Sequence, residues 1–263
     1  MNYLYIKKIF TDVYSKIENG RSNSKSDNAQ AIIISISAAI LLATVNFYAC
    51  IGHSGNLMVA NLIILILNKI GIVNIDSDLI YHISWSLLVI ALWLLVPACL
   101  IKFVFRKSLR DYGFTLNGIM QDIPLYLLFG CFVIPVVMYA STFTAMRSIF
   151  PFYHINSSIQ LKLLIIWEVF YCIQFIAVEF FFRGFLIHGL KKTLGYNVIY
   201  VVAIPYCMIH FNKTFVESIG AIITGIVLGN FSLKRNSIIL GCVIQCVVAI
   251  TMDASVVFAL LHH

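Results

Sequence analysis

Charge is what this sequence has least of. Only 11% of its 263 residues are Asp, Glu, Lys or Arg, while 61% are hydrophobic. A soluble domain of this length needs far more polar surface to stay dispersed. Prolines number five, too few to mark a domain boundary, and no internal repeat or low-complexity linker is visible. The seven cysteines (Cys50, Cys99, Cys131, Cys172, Cys207, Cys242 and Cys246) all lie in apolar stretches without a CxxC pair. They read as small core hydrophobes, not as a disulfide framework. The first 30 residues lack the early apolar core of a cleavable signal peptide. They are polar and mixed in charge, with Lys7, Lys8, Lys16, Arg21 and Lys25 against Asp12, Glu18 and Asp27.

What the chain does have is apolar blocks, and its mean hydropathy is +0.95. Crossing a bilayer takes about 20 apolar residues in a helix. Such blocks fall at about 31–51, 57–73, 82–105, 123–143, 161–190, 195–211, 215–233 and 237–261. They are long and lack the period-2 alternation of barrel strands, and a helix satisfies its own backbone in lipid. The expected fold is therefore all-α, a polytopic transmembrane helical bundle with 7–8 membrane segments. Residues 1–30 form a cytoplasmic or interfacial segment, and 31–263 a single transmembrane domain. The block at 57–73 is the weakest, being short and interrupted by Asn61, Asn68 and Lys69.

The net charge of +7 does not point to nucleic acid, because no basic cluster stands beside stacking aromatics. Lys102, Arg106, Lys107 and Arg110 fit a cytoplasmic loop under the positive-inside rule, as do the turns at Lys191–Lys192 and Lys234–Arg235. The basic N-terminus also favours the cytoplasm, yet three spans before residue 102 would put it outside. The count is thus seven or eight. The expected location is integral and multi-pass, in a prokaryotic inner membrane, with the lipid bilayer as partner.

A charge at the centre of a membrane helix costs about 2.5–3.5 kcal/mol on insertion scales. The segment 161–190 carries Glu168, Glu179 and Arg183. Glu179 and Arg183 are four apart with the acid first, the order that suits a helical ion pair. Glu168 precedes Glu179 by about three turns, which puts all three on one stripe. The plain reading of the pair is an ion pair that fixes helix packing. The functional one is a site. If the chain turns near Gly195, Glu179 and His210 lie 16 and 15 residues from the turn, at an equal depth of about 22–24 Å. An acid and an imidazole at one depth can share a water. In the last segment Gln245 and Asp253 are eight apart on one face, with Asp253 about 25 Å from a turn at Asn236. Asp253 also reads as a helix-end residue at the far interface. Gly220, Gly225, Gly229 and Gly241 read as helix packing.

These residues form a pattern. The stretch VEFFFRGF at 178–185 resembles the first motif of the CPBP family, the CAAX-protease and Abi-type bacteriocin-processing intramembrane proteases. The stretch 205–238 resembles the family's second motif together with the segment after it. It contains Tyr206 four residues before His210, then Phe211, Lys213, Glu217, Gly225, Gly229 and the Ser237–Ile238 start of the last helix. The resemblance covers about residues 161–255. It implies an eight-helix fold and a glutamate-dependent intramembrane endopeptidase. In the family the first motif Glu and the motif His activate a water, and a second Glu and the Arg support them. A second His and an Asn stabilise the oxyanion. Relatives trim prenylated proteins in eukaryotes and are linked to peptide processing and bacteriocin immunity in bacteria.

Glu179, Arg183 and His210 match that pattern. Val178 replaces the first Glu, Gln245 the second His and Ala249 the Asn. Glu179 then becomes the expected base. Gln245 still donates hydrogen bonds but cannot titrate. With so few ligands left, neither a metal nor any other cofactor is expected. The residues allow three functions. The first is an endopeptidase acting on a membrane-associated protein or peptide, with Gln245 or Asp253 at the oxyanion or leaving group. The second is a degenerate relative that binds a membrane partner or confers peptide immunity without cleavage. The third is a transporter, disfavoured by the missing repeats.

Overall fold

The computed structural model describes residues 11–12, 14–15, 17–22, 24–72, 76–116, 119–155 and 158–261. Lys7, Lys8 and Lys16 of the expected N-terminal segment lie outside these residues. The fold is all-α, and no strand occurs among the described residues. The helices are α1 (Lys25–Ala49), α2 (Ser54–Lys69), α3 (Ser77–Val104), α4 (Ile119–Ala140), α5 (Thr144–Arg147) and α6 (Ser158–Glu179). Then come a π-helical stretch, Phe180–His188, and α7 (Gly189–Leu194), α8 (Val198–Met208), α9 (Phe215–Arg235) and α10 (Ile239–Leu261).

Every one of the eight apolar blocks is helical. Among the described residues, five helical stretches are long and apolar enough to cross a membrane: Lys25–Ala49, Ser77–Val104, Gln160–Met208, Phe215–Arg235 and Ile239–Ala259. Gln160–Met208 covers two of the expected blocks. They part at Gly195, whose φ of +61° suits a residue without Cβ. α2, the block read as weakest, has 16 residues. At 1.5 Å per residue that is about 24 Å, short of the roughly 30 Å hydrocarbon core.

The ends of the helices have local causes. Thr214 and Glu217 form a reciprocal capping box at the start of α9, which satisfies two backbone donors. Glu217, part of the motif-like run, is thus a helix-start residue. α9 stops at Asn236, which takes the left-handed conformation at φ +52°. The Ser237 N–H then reaches back to the Ser232 carbonyl, a Schellman-type end. Asp76 caps α3 by accepting from the Leu79 N–H.

The chain divides into two compact units. The first comprises residues 1–40, 96–123 and 179–241, and the second 41–95, 124–178 and 242–263. The second holds an aromatic core in which Trp167 stacks on Tyr171 at 4.9 Å and on Trp85 at 6.0 Å, packed with Leu79, Ile83 and Ala249. The first is built on the π-helical stretch, all nine residues of which are buried. Gly184 lets it approach the Leu109–Tyr112 turn closely: a Cβ there would sit 2.9 Å from the Tyr112 carbonyl oxygen.

Also in the first unit, the N-terminal segment is strapped to the turn before α8. The Glu18 carboxylate accepts from the Tyr196 N–H at 2.9 Å and Ser22 N–H donates to the Lys192 carbonyl at 2.8 Å. The Arg21 guanidinium donates to the Thr193 carbonyl at 3.2 Å, and Lys192 pairs with Asp27 at 3.6 Å. Residues 18–27 therefore lie beside the Lys191–Lys192 turn.

Candidate active site

Three of the residues singled out from sequence meet in the first unit, joined through a fourth. Glu179 is the last residue of α6, and Arg183 lies one turn into the π-helical stretch. Arg183 Nη1 is 2.9 Å from Glu179 Oε1, and the Glu179 and Arg183 side chains are 0% and 1% exposed. Ions so buried survive only when paired. The pair thus takes the expected form, although the backbone has widened from α to π between its members. Such widened turns recur at functional sites.

Tyr206, on α8, connects the pair to the histidine. The guanidinium carbon of Arg183 lies 4.0 Å from the Tyr206 ring centroid, a stacking distance for a cation over an aromatic face. Phe182 meets the same ring edge-on at 5.0 Å, and the His210 ring lies 5.3 Å away. Gly225 on α9 makes room for this ring, since a Cβ there would stand 3.2 Å from it.

His210 lies just past the membrane-spanning stretch, which ends at Met208. Its Nδ1 is 2.9 Å from the Tyr206 carbonyl oxygen. A carbonyl only accepts, so Nδ1 carries the proton and Nε2 keeps a lone pair in the neutral ring. Burial pushes the imidazole down to about 4, and the charges of Lys213 and Arg183 act the same way. The ring is therefore neutral at neutral pH. The backbone that holds it is fixed in turn, as Ser218 Oγ donates to the His210 carbonyl at 3.0 Å.

Gly241 has a part beyond helix packing. A Cβ at this position would fall directly on the Glu179 carboxylate. The glycine lets the backbone of α10 approach the acid where no larger residue fits. Only a glycine pattern marked it in the sequence, and that pattern also fits plain packing.

The other candidates belong to the second unit. Gln245 is half-buried in α10, and Asp253, on the same helix, is 1% exposed. The Asp253 carboxyl neighbours that of Glu168 on α6. Val178 and Ala249, at the positions where the motif has Glu and Asn, are buried. Among the described residues no group of three or more His, Cys, Asp or Glu stands close enough to hold a metal ion.

Residues 160–251 match the family model of the Rce1-like type II CAAX prenyl endopeptidases. This range contains α6, the π-helical stretch, α8, α9 and the first half of α10, and so every residue of the Glu179–Arg183–Tyr206–His210 chain of contacts. No curated protein and no solved structure matches the chain.

Proposed function

We propose that this chain, whose residues 160–251 carry the Rce1-like segment of the CPBP protease family, is an intramembrane endopeptidase acting on a membrane-associated protein or peptide. The supporting observation is the buried line of contacts from Glu179 through Arg183 and Tyr206 to a neutral His210. In this reading Glu179 is the base for a hydrolytic water. Arg183 holds that carboxylate in place as its ion partner, Nη1 standing 2.9 Å from Oε1. Glu179 takes one proton of that water and hands it on to the leaving amine, while the Nε2 lone pair of His210 accepts the water's second hydrogen bond and orients it. Gln245 and Asp253 take their candidate roles from motif position alone: Gln245 as a neutral donor to an oxyanion, Asp253 at the leaving group. The chain is a multi-pass membrane protein, and we place it in a prokaryotic inner membrane.

A second reading rests on a specific observation. Val178 removes the first motif Glu, and the remaining acid is wholly buried and paired with Arg183. A degenerate member that binds a membrane peptide without cutting it would keep this pair as scaffold.

One experiment separates the two. A library of membrane-anchored peptides is co-expressed with the wild-type chain, Glu179→Gln or His210→Ala, and fragments are read by mass spectrometry. Wild type yields fragments, and each variant lowers their rate by roughly 10²–10⁴, the scale of general acid–base catalysis. Fragments that persist undiminished in both variants, or that never appear with wild type, favour the non-catalytic reading.

A further inference from the structure

We infer that the first unit carries an acidic-phospholipid site, a rim of cations at headgroup depth that holds anionic lipid phosphates. Four segments form this rim. They are the start of α1, the loop after α3, the turn at α7 and the α9–α10 turn. Hydrogen bonds tie them into one surface. Lys107 Nζ donates to Gln30 Oε1, and Asn236 Nδ2 donates to the Arg110 carbonyl at 3.1 Å. Lys191 Nζ in turn donates to Asn236 Oδ1 at 3.4 Å. Each segment borders a long apolar helix, so its cations stand at the level where hydrocarbon gives way to headgroups.

The charge on this surface is unbalanced, and the reason is visible residue by residue. Its acids are occupied. Glu18 accepts from the Tyr196 N–H and pairs with Arg21. Asp27 accepts from Ser24 Oγ at 2.8 Å and pairs with Lys192. Asp111 is bound into the capping box with Ser108. Three cations have no such partner. Lys25, Arg106 and Arg110 are exposed, and among the described residues no carboxylate pairs with any of them.

Arg106 is the most telling. It occupies the left-handed conformation at φ +53° where α3 ends, with the Lys107 N–H reaching back to the Ile101 carbonyl. Glycine is the usual residue at such a helix end, because a side chain there is strained. The arginine in that position presents an exposed guanidinium at the end of α3. Arginine matches phosphate oxygens with two parallel hydrogen bonds. The occupant that fits an exposed cation at a membrane interface is the phosphodiester of an anionic lipid, which attracts each surface Lys or Arg by about 1 kcal/mol, or roughly fivefold.

The test uses the full chain in phosphatidylcholine vesicles, with spin-labelled phosphatidylglycerol and phosphatidylcholine as probes. Wild type should prefer the anionic probe, and the preference should fall as salt is raised. Arg106→Gln with Arg110→Gln should reduce it by about fivefold per charge removed. Arg106→Gly guards against misfolding: it relieves the left-handed backbone, so melting temperature should hold or rise while the preference drops. Equal association of the two probes with wild type would overturn the inference, as would a preference that both variants leave intact. So would a preference abolished by inorganic phosphate at constant ionic strength, which would make the surface a small-anion site instead.

Discussion

Arg183 carries the most at the scale of single residues. Its charge neutralises Glu179, and its flat face covers Tyr206. A lysine keeps the charge and loses the face, so Arg183→Lys should fold but melt lower. Arg183→Gln leaves a buried carboxylate without its cation, a loss of about 3–5 kcal/mol. Thermal unfolding in one detergent ranks them wild type, then Lys, then Gln. If the Gln variant melted with wild type, the pair would not be a buried ionic contact. Sequence spacing showed this pair plainly, since an acid and an arginine four apart in an apolar segment have few other partners. Tyr206 was legible only as a motif position. Its stacking on Arg183 depends on how α8 packs beside the π-helical stretch, and no local pattern encodes that. Gly241 was hidden for the same reason: a glycine does not announce what approaches it.

At the scale of elements, the helix ends were the part least open to sequence reading. The apolar blocks located every helix that they cover, because hydrophobic length is a strong signal. The π-helical widening at Phe180–His188 was not foreseen, as it changes no residue type and leaves the four-residue spacing of the motif intact. Asp76 shows how an end is held. It lies just before α3, and it takes hydrogen bonds from the Leu79 N–H, the Tyr153 hydroxyl at 2.9 Å and the Gln160 amide at 3.1 Å. Burial alone would raise its carboxyl, but these bonds outweigh that and hold it below the ordinary 3.8. A carboxylate lowered by folding adds stability above its unfolded value and loses it as pH falls through the folded one. Melting temperature should therefore drop as pH is taken below about 4, and Asp76→Asn, which keeps an acceptor for Leu79 but cannot titrate there, should flatten that part of the curve. An unchanged curve in the variant would assign the acid sensitivity to other carboxyls.

For the whole molecule, the open question in the sequence was whether the N-terminus shares a side with the later basic loops. Charge counting alone gave conflicting answers for three spans before residue 102. Within the first unit, the strap to Lys192 and the Gln30–Lys107 contact put residues 18–30 beside the later basic loops. We predict that α1 leaves that side and α3 returns to it, with α2 not a third crossing. Five helical stretches among the described residues are long and apolar enough to cross a membrane, and the expected count of seven or eight turns on α2. Single cysteines at Ser22, Arg110 and Lys192 should react with an impermeant thiol reagent from one side, and those at His53 and Ile72, at the two ends of α2, from the other. Labelling of His53 and Ile72 from opposite sides would restore the eighth crossing.

The strap also bears on how the chain is made. Arg21 and its partner Thr193 are 172 positions apart in sequence. The first helix reaches the membrane long before the ribosome has produced the residues to which its leading segment is tied. The tie cannot form until the chain has emerged as far as the turn before α8. Closure of this long loop is accordingly a late event in biogenesis. A nascent chain arrested before residue 192 therefore carries its leading segment unfastened.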